Sequence, residues 1–215
     1  MGRSTMLPRV QDFPLFLGRY KWDAYHAAFG WPPDCLDTGF PWVVSLERQF
    51  EAVLEQNAIP PLSLFTEMIL WAGNQQNILG KFSKSLREEA YDILIREVIE
   101  NLAIPRLALE SALAIKGFGL TYGSKLLRFC RPNTYGTLDS RIRKALGSRL
   151  RRIYDGNTQS MCVGYEEYLR LIHQYQRELT ESSVVRPRYG ARVPSPDWTA
   201  AEVEMALFGW ASSQT

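Results

Sequence analysis

A chain of 215 residues, 46% apolar and 22% charged, is long enough for one substantial domain or two small lobes and has too much apolar content for disorder. Its longest apolar runs are too short to cross a bilayer, and the N-terminal MGRSTMLPRV has no apolar signal stretch. Three cysteines (Cys35, Cys130, Cys162) and two histidines (His26, His173), none at metal-ligand spacing, argue against a disulfide framework, a zinc site or an iron–sulfur loop, and fit a reducing cytosol.

Along the chain, helical periodicity dominates and strand alternation is rare, so the expected class is all-α. Residues 18–42 read as a long connection anchored by Trp22, Tyr25, Trp31 and Trp42. A helix is expected over 46–56 with Ser45 as its cap, and another over 62–73 with Pro61 near its first turn. Four amides follow, Asn74-Gln75-Gln76-Asn77, which a polar loop or a cap would explain. A helix over 85–101 places Leu86, Ala90, Leu94, Val98 and Ile99 at helical spacing. Pro105 opens the next, over 106–115. Helices over 122–131, 139–152, 165–179 and 199–210 complete the set, and 186–198 reads as a second wrapping connection.

The formal charge of +2 conceals an asymmetry. Between Lys116 and Arg152 there are ten basic residues, among them Lys125, Arg128, Arg141 and Arg143, and one acid, Asp139. The remainder carries 15 basic and 22 acidic residues. Positive charge gathered in one stretch suits a polyanion, although a solvated charged face is the plainer account.

Within that stretch lies Ile115-Lys116-Gly117-Phe118-Gly119, between two helical segments. Two glycines around one apolar residue permit a tight turn, with Phe118 pinning it between the helices. The amides of Gly117–Leu120 would open the next helix, where free N–H groups and the dipole favour phosphate. Further on, Leu138-Asp139-Ser140-Arg141 enters a basic helix. Asp139 reads as an N-cap, and a cap can also serve as a catalytic carboxylate.

The Gly117-Phe118-Gly119 turn, a helix, and Leu138-Asp139 at this spacing resemble the helix-hairpin-helix DNA glycosylase superfamily. The wording Ser124-Lys125-Leu126-Leu127-Arg128-Phe129 is most similar to bacterial 8-oxoguanine-glycosylase-like proteins. The resemblance covers residues 115–146 well and the rest only through helix order. It implies a two-lobed all-α fold, one unit over 1–215, with a cleft between the lobes. It also implies a monomer in the bacterial cytoplasm or nucleoid that binds duplex DNA and no membrane. The implied activity is base flipping followed by cleavage of an N-glycosidic bond. The substrate would be oxidised guanine or, in anti-phage defence, a hypermodified base.

Residue by residue, the resemblance makes Asp139 the essential aspartate that stabilises oxocarbenium-like charge. Gly117, Phe118 and Gly119 become the phosphate grip, with no metal held by side chains and an alkali cation on the hairpin backbone. Bifunctional relatives carry a nucleophilic lysine where this chain has Thr121. Lys125, one helical turn later, is then either an amine nucleophile conferring lyase activity or a phosphate contact, as are Arg128 and Arg141. Gln75 or Gln76, with Asn77 beside them, would fill the gap left by the flipped nucleotide. Phe208 and Trp210 are candidates to stack on the extruded base, though core packing explains such residues more often. The competing reading is a non-catalytic helix-hairpin-helix DNA-binding module.

Overall fold

The computed structural model describes residues 6–20, 40–86, 91–188 and 192–214. Among these residues the chain is all-helical, without a strand. In order, the helices are α1 (Phe13–Gly18), α2 (Phe40–Glu55), α3 (Leu62–Trp71), α4 (Ile78–Ser85), α5 (Tyr91–Glu100), α6 (Pro105–Ala114), α7 (Leu120–Cys130), α8 (Ser140–Leu146), α9 (Thr158–Glu181) and α10 (Ala200–Ser212).

Two helices are buried almost all round. In α7, residues Tyr122 through Cys130 are all buried, between α2 and α6. In α10, Ala200 through Ala211 are buried against α1, α8 and α9. The start of α10 is fixed by a reciprocal capping box, in which Thr199 Oγ1 accepts from Glu202 N–H and Glu202 accepts from Thr199 N–H. Around these helices the amphipathic elements contribute one face each: α9, for example, buries Tyr165, Tyr168, Leu169, Ile172 and Tyr175. Each fully buried side chain of leucine or phenylalanine size contributes about 1.5–3 kcal/mol.

Several sequence expectations shift at this point. Trp42 is not a loop anchor. It lies in the first turn of α2, buried, with its indole N–H on Glu67 Oε1 at 3.1 Å. Ser45 is interior to that helix rather than its cap, because the helix begins five residues earlier. Trp22, Tyr25 and Trp31, with His26 and Cys35, lie outside the described residues. A separate helix, α4, lies between the helices expected over 62–73 and 85–101, and the latter is α5 where it is described. The basic helix after Asp139 is only seven residues long and passes into a 3-10 turn at Gly147–Arg149.

Sequence periodicity gives no hint of the buried charges. Arg128 on α7 has no exposed surface; its Nη2 meets Glu47 Oε1 at 2.7 Å and its Nε meets Glu204 Oε2 at 3.2 Å. Glu47 also holds Arg192 at 2.6 Å, Arg192 holds Glu202 at 2.9 Å, and Glu202 meets Arg186 at 3.2 Å. An alternating chain of six charges thus ties α2, α7, α10 and the segment before α10 together. Such pairs must be mutually satisfied, since removing one member strands a desolvated charge.

Candidate active site

The turn between α6 and α7 is built from both sides. Ile115 is fully buried and accepts Phe118 N–H at 2.9 Å. Gly117 takes φ +92°, a conformation favouring glycine, and a Cβ there would lie 2.9 Å from Lys81 Cβ. The Phe118 ring stacks on Phe65 at 5.7 Å with 9° between planes and meets Phe82 and Tyr122. Gly119 differs: it is exposed, its backbone is extended, and a Cβ there would have no neighbour within 4 Å. The protein itself does not require a glycine at that position.

Residues 135–139 run as buried extended chain between α7 and α9, and side chains satisfy the backbone. Tyr165 and Tyr168 hydroxyls donate to the Gly136 and Thr137 carbonyls at 2.9 and 2.8 Å, and Leu138 N–H donates to Ser124 Oγ at 3.0 Å. Thr121 Oγ1 donates to the Leu138 carbonyl at 3.5 Å. Gly136 is pressed against α9 and α10: a Cβ would lie 2.5 Å from Ile172 Cδ1 and 2.8 Å from Glu204 Cβ. This scaffold delivers Asp139 to the first position before α8, where Oδ1 accepts Ile142 N–H at 2.8 Å. Asp139 is 8% exposed. Burial raises its pKa above the ordinary carboxylate value, against the Ile142 N–H and the Lys125 and Arg141 charges, which favour the anion.

Facing it from α7 is Lys125, 4% exposed. Its Nζ lies 5.1 Å from the Trp71 ring centroid and 5.7 Å from that of Tyr122, so two aromatic faces box the ammonium. Burial pulls its pKa down to about 8, against Asp139 and Glu204, which raise it. Glu204, behind Asp139 on α10, is pushed up to about 7 by burial, with Arg128 opposing. Four charged groups of two signs therefore share one poorly solvated volume.

Asp139 and Lys125 line a cleft of about 440 Å³ together with Gly117, Gly119, Thr121, Arg141, Gln75 and Gln76. The amide run divides by role. Asn74 Oδ1 accepts Leu79 N–H at 2.8 Å, and Asn77 Oδ1 accepts Gly80 N–H at 3.2 Å, so both asparagines organise α4. Gln75 and Gln76 are exposed and face the cleft. The turn is strained, with Asn74, Gln76 and Asn77 at φ 45°, 55° and 54°. It is tethered to α7 where Gln75 N–H donates to the Tyr122 hydroxyl at 2.9 Å.

Comparison with protein-family models, curated proteins and solved structures gives no match.

That geometry corrects several assignments made from the sequence. Arg128 is not available to a phosphate, being enclosed by Glu47 and Glu204. Lys125 lines the cleft but is only 4% exposed. Phe118 offers its backbone only, since its ring belongs to the core. Asn77 is a helix cap, not a gap filler. Phe208 and Trp210 are 3% and 2% exposed and do not line the cleft. Phe208 packs on Tyr20 and backs the Arg141 guanidinium at 5.1 Å, so it shapes the cleft through Arg141. Among the site residues not marked by a motif, Tyr122 has a local signal, three positions before Lys125 on one helix face. Trp71, Tyr165, Tyr168 and Glu204 come from distant elements, and no local pattern marks them.

Among the described residues, no group of three or more His, Cys, Asp or Glu side chains is placed to hold a metal ion, and no helix is long and apolar enough to cross a membrane.

Proposed function

We propose that this chain is a DNA N-glycosylase of the helix-hairpin-helix type with lyase capability. The observation that carries the reading is the pairing of Lys125 and Asp139, both buried, across a cleft bordered by a glycine turn and a strained glutamine turn. A cleft of about 440 Å³ is in the range of small-molecule sites and admits a single extruded base. Duplex DNA docks on the hairpin, with Gly119 admitting a phosphate where a side chain would intrude. Gln76 or Gln75 enters the stack as the target nucleotide leaves it.

The chemistry follows from the pKa values. With a pKa of about 8, roughly a tenth of Lys125 is neutral at pH 7, against about three in ten thousand at the ordinary value of 10.5. The neutral Nζ attacks C1′ of the flipped nucleoside. The C1′–base bond breaks, and its electron pair leaves with the base, which takes up a proton from water in the cleft. The Asp139 carboxylate stabilises positive charge on the sugar and receives the proton shed by Nζ. Ring opening then gives a Schiff base, from which β-elimination cleaves the strand. Oxidised guanine and hypermodified bases remain the substrate classes. An alkali cation at the turn would draw on backbone oxygens such as those of Ile115 and Gly119, each holding one backbone N–H and keeping a second lone pair. None of the chemical steps depends on it. The reading carries with it a two-lobed arrangement of the helices and a monomer acting on bacterial DNA.

A non-catalytic DNA-binding module is the poorer account, because it has no use for an amine and a carboxylate both withdrawn from solvent. The decisive experiment incubates the protein with duplexes bearing 8-oxoguanine, uracil, alkylated or glucosylated bases in borohydride. Base release and a covalent adduct are expected for one class, the adduct being lost in Lys125→Ala and base release in Asp139→Asn. Asparagine still caps a helix, so Asp139→Asn should keep its circular dichroism and duplex affinity. Equal base release by wild type and Asp139→Asn would sink the mechanism.

A further inference from the structure

The cleft does not end at Arg141. A second hollow of about 370 Å³ shares Ser140, Arg143 and Asp155 with it, and is bounded further on by Lys144, Arg151 and Arg152. A third, of about 470 Å³, shares Arg151 and reaches Arg149 and Arg170 on α9. Shared residues thus link the three hollows in series, from the Lys125–Asp139 cleft to α9, and together they form the trough.

Its charges fall into two groups. Arg143 is held by Asp155 at 2.8 Å and Arg151 by Glu167 at 3.1 Å, so two cations are neutralised and fixed in place. Lys144, Arg149, Arg152 and Arg170 are exposed, and among the described residues none of them forms an ion pair. Arg152 lies over the Tyr154 ring at 5.1 Å, with that ring itself half-exposed. A row of such cations repels itself unless a polyanion neutralises it, and a series of linked hollows suits a chain better than a compact anion.

We infer that this trough binds the phosphodiester backbone on one side of the target nucleotide, as a second DNA contact separate from the hairpin. The inference rests on the proposed function in taking the polyanion to be DNA. The trough predicts an asymmetric footprint: the strand runs from the flipped sugar past Arg143, along α8 and the 3-10 turn, to Arg149 and Arg170.

The test measures duplex affinity against salt for the full chain and two triple variants. One removes trough charges (Lys144→Ser, Arg149→Ser, Arg152→Ser). The other removes three exposed charges elsewhere (Arg48→Ser, Arg96→Ser, Arg177→Ser). Each neutralised phosphate contributes about 0.9 to the slope of log affinity on log salt, so the trough variant should lose about 2–3 from that slope and the control less than about 1. Equal slopes for wild type and trough variant, or equal losses in both variants, would overturn the inference. A wild type that binds through the trough but releases no base would sink the glycosylase reading alone. A wild type that binds no duplex would sink both.

Discussion

Gly136→Ala probes the scaffold that presents Asp139. The Cβ it adds would sit 2.5 Å from Ile172 Cδ1, 2.8 Å from Glu204 Cβ and 3.2 Å from the Ala200 carbonyl oxygen. Carbon–carbon contacts prefer about 3.5–4.0 Å, so the first two require about 1 Å of movement from buried neighbours. Two effects oppose. Replacing glycine lowers the entropy of the unfolded chain, a gain of about 0.4–1 kcal/mol. Overpacking costs about 1–3 kcal/mol, and here it wins, because Ile172 is fully buried and the third contact is backbone. A net loss of about 1–2 kcal/mol corresponds to a melting temperature lower by roughly 2–8 °C in a chain of this size. Asp139 is three residues on, so the shift should reach the site, where a displacement near 1 Å can slow catalysis by about 100-fold. Differential scanning calorimetry and single-turnover base release measure the two effects. Ile172→Val deletes the clashing Cδ1 at a cost of about 0.5–1.5 kcal/mol when made alone. In the double variant the two losses should be less than additive, with a coupling of at least about 0.5 kcal/mol. Strict additivity, or a Gly136→Ala protein with wild-type melting and activity, would refute the packing account.

Three further outcomes follow from the site. Lys125 has a folded pKa of about 8, below its ordinary 10.5, so between these values the unfolded chain holds a proton that the folded one lacks. Holding the buried ammonium costs on the order of 3 kcal/mol, a penalty present in full below pH 8 and relieved as pH rises to 10.5. Lys125→Met should therefore be the more stable protein in urea at pH 6.5, by a margin that narrows at pH 9.5; a pH-independent deficit would contradict the burial argument. Gly119→Ala should melt at or slightly above the wild-type temperature, because no protein atom opposes the methyl group, yet bind duplex less tightly in a fluorescence-anisotropy titration. Unchanged affinity would separate that glycine from DNA. Tyr122→Phe removes the acceptor for Gln75 N–H and should cost about 0.5–1.5 kcal/mol. With the strained turn released, base release should slow while duplex affinity holds, and a matching drop in affinity would assign the turn to docking instead.

Where the deciding interactions are local, the sequence was a good guide. Pro105, Thr199 and the Gly117–Gly119 turn announce their elements because caps and turns are short-range devices, and Asp139 reads as a cap because its acceptor bond spans three residues. The start of α2 was hidden by a competing local cue: Ser45 resembles a cap, but buried Trp42 and Val43 continue the helical face of Leu46 upstream of it. The charge count was misleading in detail for a different reason. Arg128 looks like any cation in a basic stretch, and its partners Glu47 and Glu204 lie 81 and 76 positions away. Burial of Lys125 is equally non-local, since Trp71 arrives from α3. A linear tally sees signs without partners, and partners decide whether a cation faces solvent, a phosphate or a carboxylate.

The six-membered chain of opposite charges running from Glu204 to Arg186 also limits how this protein can diverge. Each interior member answers two neighbours, so a single substitution there strands a charge in a desolvated site, and the loss is recovered only by a second change beside it. Arg128 can be exchanged for an apolar residue only in company with Glu204, since Glu47 keeps Arg192, and the acceptable routes pass through paired replacements. Descendants should then fall into two kinds, those keeping the whole alternating set and those that have replaced linked members with apolar side chains, with few in between.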